Sequence, residues 1–178
     1  MQRLVQLLRP GVLDHVTLLH AHAGAPSDFG AAVAARAAAL GAQVGALALD
    51  PEGEEPAPPD GTVDVLVWDG AAAFGEGADV DSVRAALDGA WLAIRPLAQR
   101  PVQVLLLAPA PGGAHAAAAR AGLENLARTL SIEWARFGAR LVAILPGSAA
   151  SAEEVAELAA FLASPAGAYY SGCRFELG

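Results

Sequence analysis

The chain has 178 residues, 54% hydrophobic and 17% charged, enough apolar material for one domain with a sizeable core. Its net charge of −8, with no basic patch and no interleaved aromatics, argues against nucleic-acid binding. The lone Cys173 excludes an intrachain disulfide, and the apolar runs near 31–40 and 113–119 are too short, and too broken by Arg36 and His115, to span a bilayer. The opening, Met1 to Pro10, is too interrupted for an export signal, so a cytoplasmic protein is expected.

Short apolar runs alternate with alanine-rich helical stretches. The first run is His15-Val16-Thr17-Leu18-Leu19-His20-Ala21, followed by a glycine-containing turn and a predicted helix over 28–40, with Gly41 where a helix C-terminal glycine belongs. The second run is Gln43 to Asp50. Residues 51–61 hold four prolines and four acids and predict a solvated loop. Val63 to Trp68 forms the third run, before a predicted helix over 79–98. The fourth run, Val102 to Ala108, precedes a long helix over 114–137 that ends at Gly138. Arg140 to Leu145 is the fifth, stopped by Pro146-Gly147. A helix over 151–164 carries a capping box, Ser151 with Glu154, and Cys173 to Leu177 is a last short strand. About six strands and five helices in alternation predict an α/β domain with a mostly parallel sheet covered on both faces. There is no internal repeat and no sign of a second domain, so residues 1–178 are expected to form one unit.

The second half carries a resemblance. The stretch Arg120-Ala121-Gly122-Leu123-Glu124-Asn125-Leu126-Ala127-Arg128-Thr129-Leu130-Ser131-Ile132-Glu133-Trp134-Ala135, leading through Gly138 and a strand to Pro146-Gly147, resembles the long helix of the short-chain dehydrogenase/reductase (SDR) family. Glu154 to Ser164 is similar to that family's last helix, and Tyr170-Ser171-Gly172 to its C-terminal turn. Upstream, Asp64-Val65-Leu66-Val67-Trp68-Asp69-Gly70-Ala71 stands where the family has an aspartate, an apolar strand and an Asn-Asn-Ala-Gly turn. The order and spacing of these matches cover nearly the whole chain. They imply a three-layer Rossmann-like sandwich, with the second strand at one edge, the first beside it, and then the third to the sixth.

The departures bear on function. The family's Tyr-x-x-x-Lys signature falls on Ala116 and Arg120, its serine around Ala108-Pro109-Ala110, and its helical asparagine on Ala86. An alanine cannot protonate a carbonyl oxygen, and the pKa of arginine is too high for acid–base work. No catalytic residue is therefore assigned. The cofactor loop Thr-Gly-x-x-x-Gly-Ile-Gly aligns with Ala23-Gly24-Ala25-Pro26-Ser27-Asp28-Phe29-Gly30, with Asp28 in place of the middle glycine. Asp28 brings negative charge to a helix N-terminus, either as a simple N-cap or as a competitor of phosphate. Asp50 is either a ribose ligand or a turn residue. The resemblance implies Gly24, Asp28, Phe29, Gly30, Asp50 and Gly70 as the remnant of a cofactor site. No cofactor is expected, with NAD(H) the ligand if that remnant works. The segment between Asp50 and the third run lacks room for the family's extra helix and strand, and the one between Gly147 and Glu153 lacks room for its lid.

Other residues have plainer readings beside sharper ones. His20 and His22 point the same way from a strand end, but no further ligand type lies near them in sequence, so no metal is assigned. His115 is a helix-start surface residue or a displaced acid. Cys173 is read as a core thiol. Trp68, at the presumed mouth of the cleft, is expected to plug the nicotinamide or adenine region. The helices over 79–98 and 114–137 carry Ala85, Ala86, Gly89, Ala90, Ala116 to Ala119, Ala121 and Gly122 beside Trp91 and Trp134. In the SDR family these two helices pair between subunits, which implies a homo-oligomer or a hetero-oligomer with an SDR. Taken together the chain is identified as a degenerate, truncated SDR homologue, a pseudoenzyme acting as a structural or regulatory subunit. An NAD(P)-dependent oxidoreductase with atypical catalytic residues, or a binding protein for another small ligand, is the alternative.

Overall fold

The computed structural model describes residues 8–49 and 61–178. Six strands form one sheet: β1 (Thr17–Ala23), β2 (Gln43–Leu49), β3 (Val65–Asp69), β4 (Gln103–Leu107), β5 (Arg140–Pro146) and β6 (Cys173–Leu177). Their spatial order is β2-β1-β3-β4-β5-β6, and every pairing is parallel. The expected strand order and parallel sheet are therefore found. Among the described residues there are four α-helices rather than five: α1 (Asp28–Ala39), α2 (Val80–Ile94), α3 (Ala114–Glu133) and α4 (Ala152–Ala163). The predicted extensions of α2 and α3 tighten into short 3-10 turns, the second stopped by Gly138 in the left-handed conformation (φ 80°).

Strand parity builds the two faces. Leu18, Val65, Val67, Leu105, Leu107, Val142 and Ile144 point to α1 and α4, whose Val33, Ala37, Val155 and Ala159 close that layer. Leu66, Trp68, Val104, Leu106, Leu141 and Ala143 point to α2 and α3. β3 and β4 are buried at every position, as a strand covered on both faces must be. Alanine and glycine bring the helices close. A Cβ on Gly89 would lie 2.6 Å from Cζ2 of the Trp68 ring, and one on Gly122 would lie 2.7 Å from Leu87 Cδ2. Across the α1–α4 seam, Arg36 Nε donates to Glu157 Oε2 at 2.7 Å.

Helix ends are capped by local side chains. Asp79 accepts from the amides of Asp81 and Ser82 at the start of α2, and Ser151 with Glu154 forms the expected capping box of α4. The N-cap of α1 is Ser27, not Asp28: the Ser27 hydroxyl accepts from the Gly30 amide, while Asp28 occupies the first helical position. No helix among the described residues is long and apolar enough to cross a membrane.

Candidate functional site at the carboxyl ends of the strands

In an open parallel sheet the ligand crevice lies beyond the carboxyl ends of the strands, where strand order reverses. Here β1 lies between β2 and β3, so the turn after β1 and the end of β3 flank that point. Two clefts open there. One, of about 430 Å³, is lined by Ser27, Asp28, Phe29, Phe74, Pro109 and Ala150, among others. The other, of about 210 Å³, is lined by Phe74, Gly112, Gly113, His115 and Ala116, among others.

The half beside β1 and β3 is closed from within. Asp69, at the end of β3, is completely buried. Its Oδ2 accepts the Ser27 amide at 2.8 Å, and its Oδ1 accepts the Ser27 hydroxyl at 2.8 Å. His20 Nε2 lies 3.7 Å from Asp69 Oδ2, is buried, and has no hydrogen-bond partner among the described residues. Gly30 packs on this knot: a Cβ there would lie 2.7 Å from His20 Nε2 and would overlap the Asp69 carboxylate. Glycine at 30 is thus required by the protein's own interior. His22 faces the same region, its ring centroid 5.2 Å from that of His20, and Nδ1 donates to Gly24 O at 3.0 Å.

This arrangement does not fit a pyrophosphate. A helix N-terminus binds phosphate through free amides and the positive end of its dipole. In α1 the Ser27 amide is held by Asp69 and the Gly30 amide by Ser27 Oγ. The exposed Asp28 adds a second carboxylate in the first turn. Of the other candidate positions, Gly24 lies exposed in the turn with φ 66°, Phe29 half-lines the larger cleft, and Gly70 is buried behind it, against Leu107 O and Leu123. Asp50 lies outside the described residues, as does nearly all of the acidic loop.

The half beside β4 and β5 carries fewer polar groups. Ala116 is buried at the start of α3 and lines the smaller cleft. Arg120, one turn on, reaches across the strand ends. Its Nη1 donates to Pro109 O and to Pro146 O, both at 2.7 Å. One guanidinium nitrogen thereby ties the chain after β4 to the end of β5. Burial lowers the Arg120 pKa from its ordinary value, Glu176 acts to raise it, and Arg174 lowers it. His115 is exposed beside Ala116 and lines the smaller cleft.

Trp68 does not plug the cleft. Its ring is fully buried on the opposite face, beneath α2, where Nε1 donates to Ala86 O at 2.9 Å. Strand parity puts it there: it shares a face with Leu66, and its neighbour Asp69 takes the other face, toward α1. Sequence reasoning also missed the Ser27–Asp69–His20 knot. The available signal was the same parity, which sends His20 and Asp69, two register positions apart across β1 and β3, toward the α1 side. Cys173 is half-buried on β6, and burial pushes its thiol pKa up. Among the described residues no group of three His, Cys, Asp or Glu side chains is placed to hold a metal ion.

Compared by sequence, the chain matches no family model and no curated protein. Compared by structure, it has clear neighbours. A citronellol catabolism dehydrogenase of Pseudomonas aeruginosa superposes with a TM-score of 0.76 at 24% identity, over 96% of this chain and 96% of that one. A short chain dehydrogenase of Mycobacterium smegmatis gives 0.76 at 22% identity, over 96% and 95%. A dehydrogenase/reductase of Sinorhizobium meliloti gives 0.74 at 20%, over 94% and 95%. The chain has the fold of the short-chain dehydrogenases/reductases.

Proposed function

We propose that the chain is a degenerate, truncated member of the SDR family that has left catalysis and acts as a structural or regulatory subunit in the cytoplasm, with itself or with an active SDR. The observation that carries this reading is Arg120. It stands at the position of the family's lysine, yet its Nη1 is held by two backbone carbonyls, and the tyrosine position one turn before it is Ala116. Carbonyl reduction requires a donor placed at the developing alkoxide. The groups at these positions tie strand ends together instead. The other half of the crevice supports the same reading, because the Ser27 and Gly30 amides are already held by side chains and Asp28 adds negative charge to the first turn.

The subunit contact proposed is the outer face of α2 and α3. Trp91 remains 41% exposed and Ile132 78% exposed on these helices. The small residues divide: Ala86, Gly89, Ala90, Ala116 and Ala119 serve the monomer's own core, whereas Ala117, Ala118 and Ala121 stay exposed for a partner.

One observation favours a second reading, an NAD(P)-dependent oxidoreductase with atypical residues: His115 lines the cleft beside Ala116. Calorimetric titration with NADH and NADPH separates the two. The subunit reading expects no binding at millimolar cofactor and co-purification with itself or with an intact SDR. Micromolar binding, followed by turnover of a carbonyl substrate that is lost in His115→Ala, overturns it.

A further inference from the structure

The β2 edge carries a pattern that nothing in the subunit reading uses. β2 is the outermost strand, and among the described residues only β1 pairs with it. Its seven residues, Gln43-Val44-Gly45-Ala46-Leu47-Ala48-Leu49, contain no charge and no proline, although the chain as a whole has a net charge of −8. Natural edge strands are normally guarded by charge, proline or a bulge, and a long bare edge is a template for another strand. The outer strand is also thinly covered: Gly45, Ala46 and Ala48 are exposed.

The backbone sets which groups point outward. The Gln43 amide donates to Val16 O, toward β1. By alternation, Gly45, Leu47 and Leu49 also turn their amides and carbonyls to β1, and Val44, Ala46 and Ala48 turn theirs to the open edge. These three outward residues are symmetric about Ala46.

We propose that β2 pairs antiparallel with β2 of a second copy, about a two-fold axis at Ala46, joining two sheets into one. The register follows from the outward groups. Ala46 faces Ala46 of the second copy, and Val44 faces Ala48, each as a hydrogen-bonded pair, giving about six inter-strand bonds. Between them fall the closely spaced pairs, with Cα atoms about 4.5 Å apart, and these set Gly45 opposite Leu47. Gly45 has open space where a side chain would stand, since a Cβ there meets only Leu19 Cδ1 at 3.6 Å. Leu47 of the second copy fills that space beside Leu19, both of them half-buried apolar side chains. A strand that is small where its own reverse is large fits a copy of itself. A neutral strip is also the part of an acidic chain that two copies can bring together without repulsion. The chain's own segment is the rival occupant. Leu49 and Gly61, the described residues on either side of it, lie at opposite ends of the sheet, and β3 lies on the far side of β1 from this edge. The contact is separate from α2 and α3 and stands whether or not those helices pair.

The test is sedimentation of the full chain beside Ala46→Pro and Ala46→Lys, with amide hydrogen exchange of the parent at Val44, Ala46 and Ala48. Proline at 46 removes an outward amide and leaves the β1 ladder intact, so the fold survives. Ala46→Lys is the second variant and places like charges directly opposite each other. The expected result is a two-fold fall in the mass of the sedimenting species in both variants, with slowed exchange at the three amides of the parent. An unchanged mass in both folded variants overturns the proposal. In that case fast exchange at the three amides means a bare edge, and slow exchange means that the chain's own segment covers it.

Discussion

The two halves of the crevice differ in where they keep their polar groups. Beside β1 and β3, polar groups are gathered inward: Ser27, His20 and Asp69 form a buried knot under the first turn of α1. Beside β4 and β5, Ala108, Ala110 and Ala116 carry no polar side chain, and the Arg120 guanidinium bridges two carbonyls. A buried carboxylate held by an amide and a hydroxyl is sensitive to any change in its partners. A partly exposed arginine on two carbonyls contributes less, because water can replace it. The half beside β1 and β3 should therefore carry more of the fold's stability than the half beside β4 and β5.

The largest expected effect follows from Asp69→Ala. It strands the Ser27 amide and hydroxyl in the interior and should cost about 3 kcal/mol in urea unfolding. A cost below that of any change at Arg120 would reverse the ranking of the two halves. Gly30→Ala comes next. Alanine gains about 1 kcal/mol of helix propensity, but its methyl group has to displace the Asp69 carboxylate and the His20 ring. Overpacking of this kind costs about 1–3 kcal/mol, so a net loss of up to about 2 kcal/mol is expected, read from the shift of the denaturation midpoint. A neutral outcome would show that the knot can relax.

Arg120→Met keeps most of the aliphatic stem and leaves two carbonyls without their donor. About 1 kcal/mol should be lost, with no effect on turnover by any preparation of the chain. If the variant abolishes a measurable oxidoreductase activity, the half beside β4 and β5 is a working site and the comparison fails. The smallest effect lies at Cys173, outside both halves. Its raised pKa leaves less thiolate at a given pH, so alkylation at pH 8 should be slower than for free cysteine, with the rate profile displaced to higher pH.

Periodicity made the architecture legible. The alternating strands, the long helices and the Ser151 box follow from periodicity and capping residues, because these are local properties that the parallel sheet reinforces, whereas the strand order came from the family resemblance. The site was legible only by position. Ala116 and Arg120 could be placed on α3, but nothing local in sequence says that a guanidinium will find two carbonyls 11 and 26 residues away. Asp28 was read as an N-cap, yet Ser27, one residue earlier, has the extended backbone that a cap requires. Trp68 was placed at a mouth because it stands where the family resemblance sets an asparagine, whereas its parity with Leu66 assigns it to the interior. The knot at Asp69 depends on contacts across 42 residues and on the close approach of Gly30, which no window of sequence contains.

The indole of Trp68 and the bare backbone of Gly89 occupy one another's space. A smaller residue at 68 would open a void beneath α2, and a larger one at 89 has nowhere to go. Neither position can drift alone, so the pair behaves as a ratchet. A polar side chain at 68 would demand a matching change at 89 in the same step, because the two positions share one volume in the core.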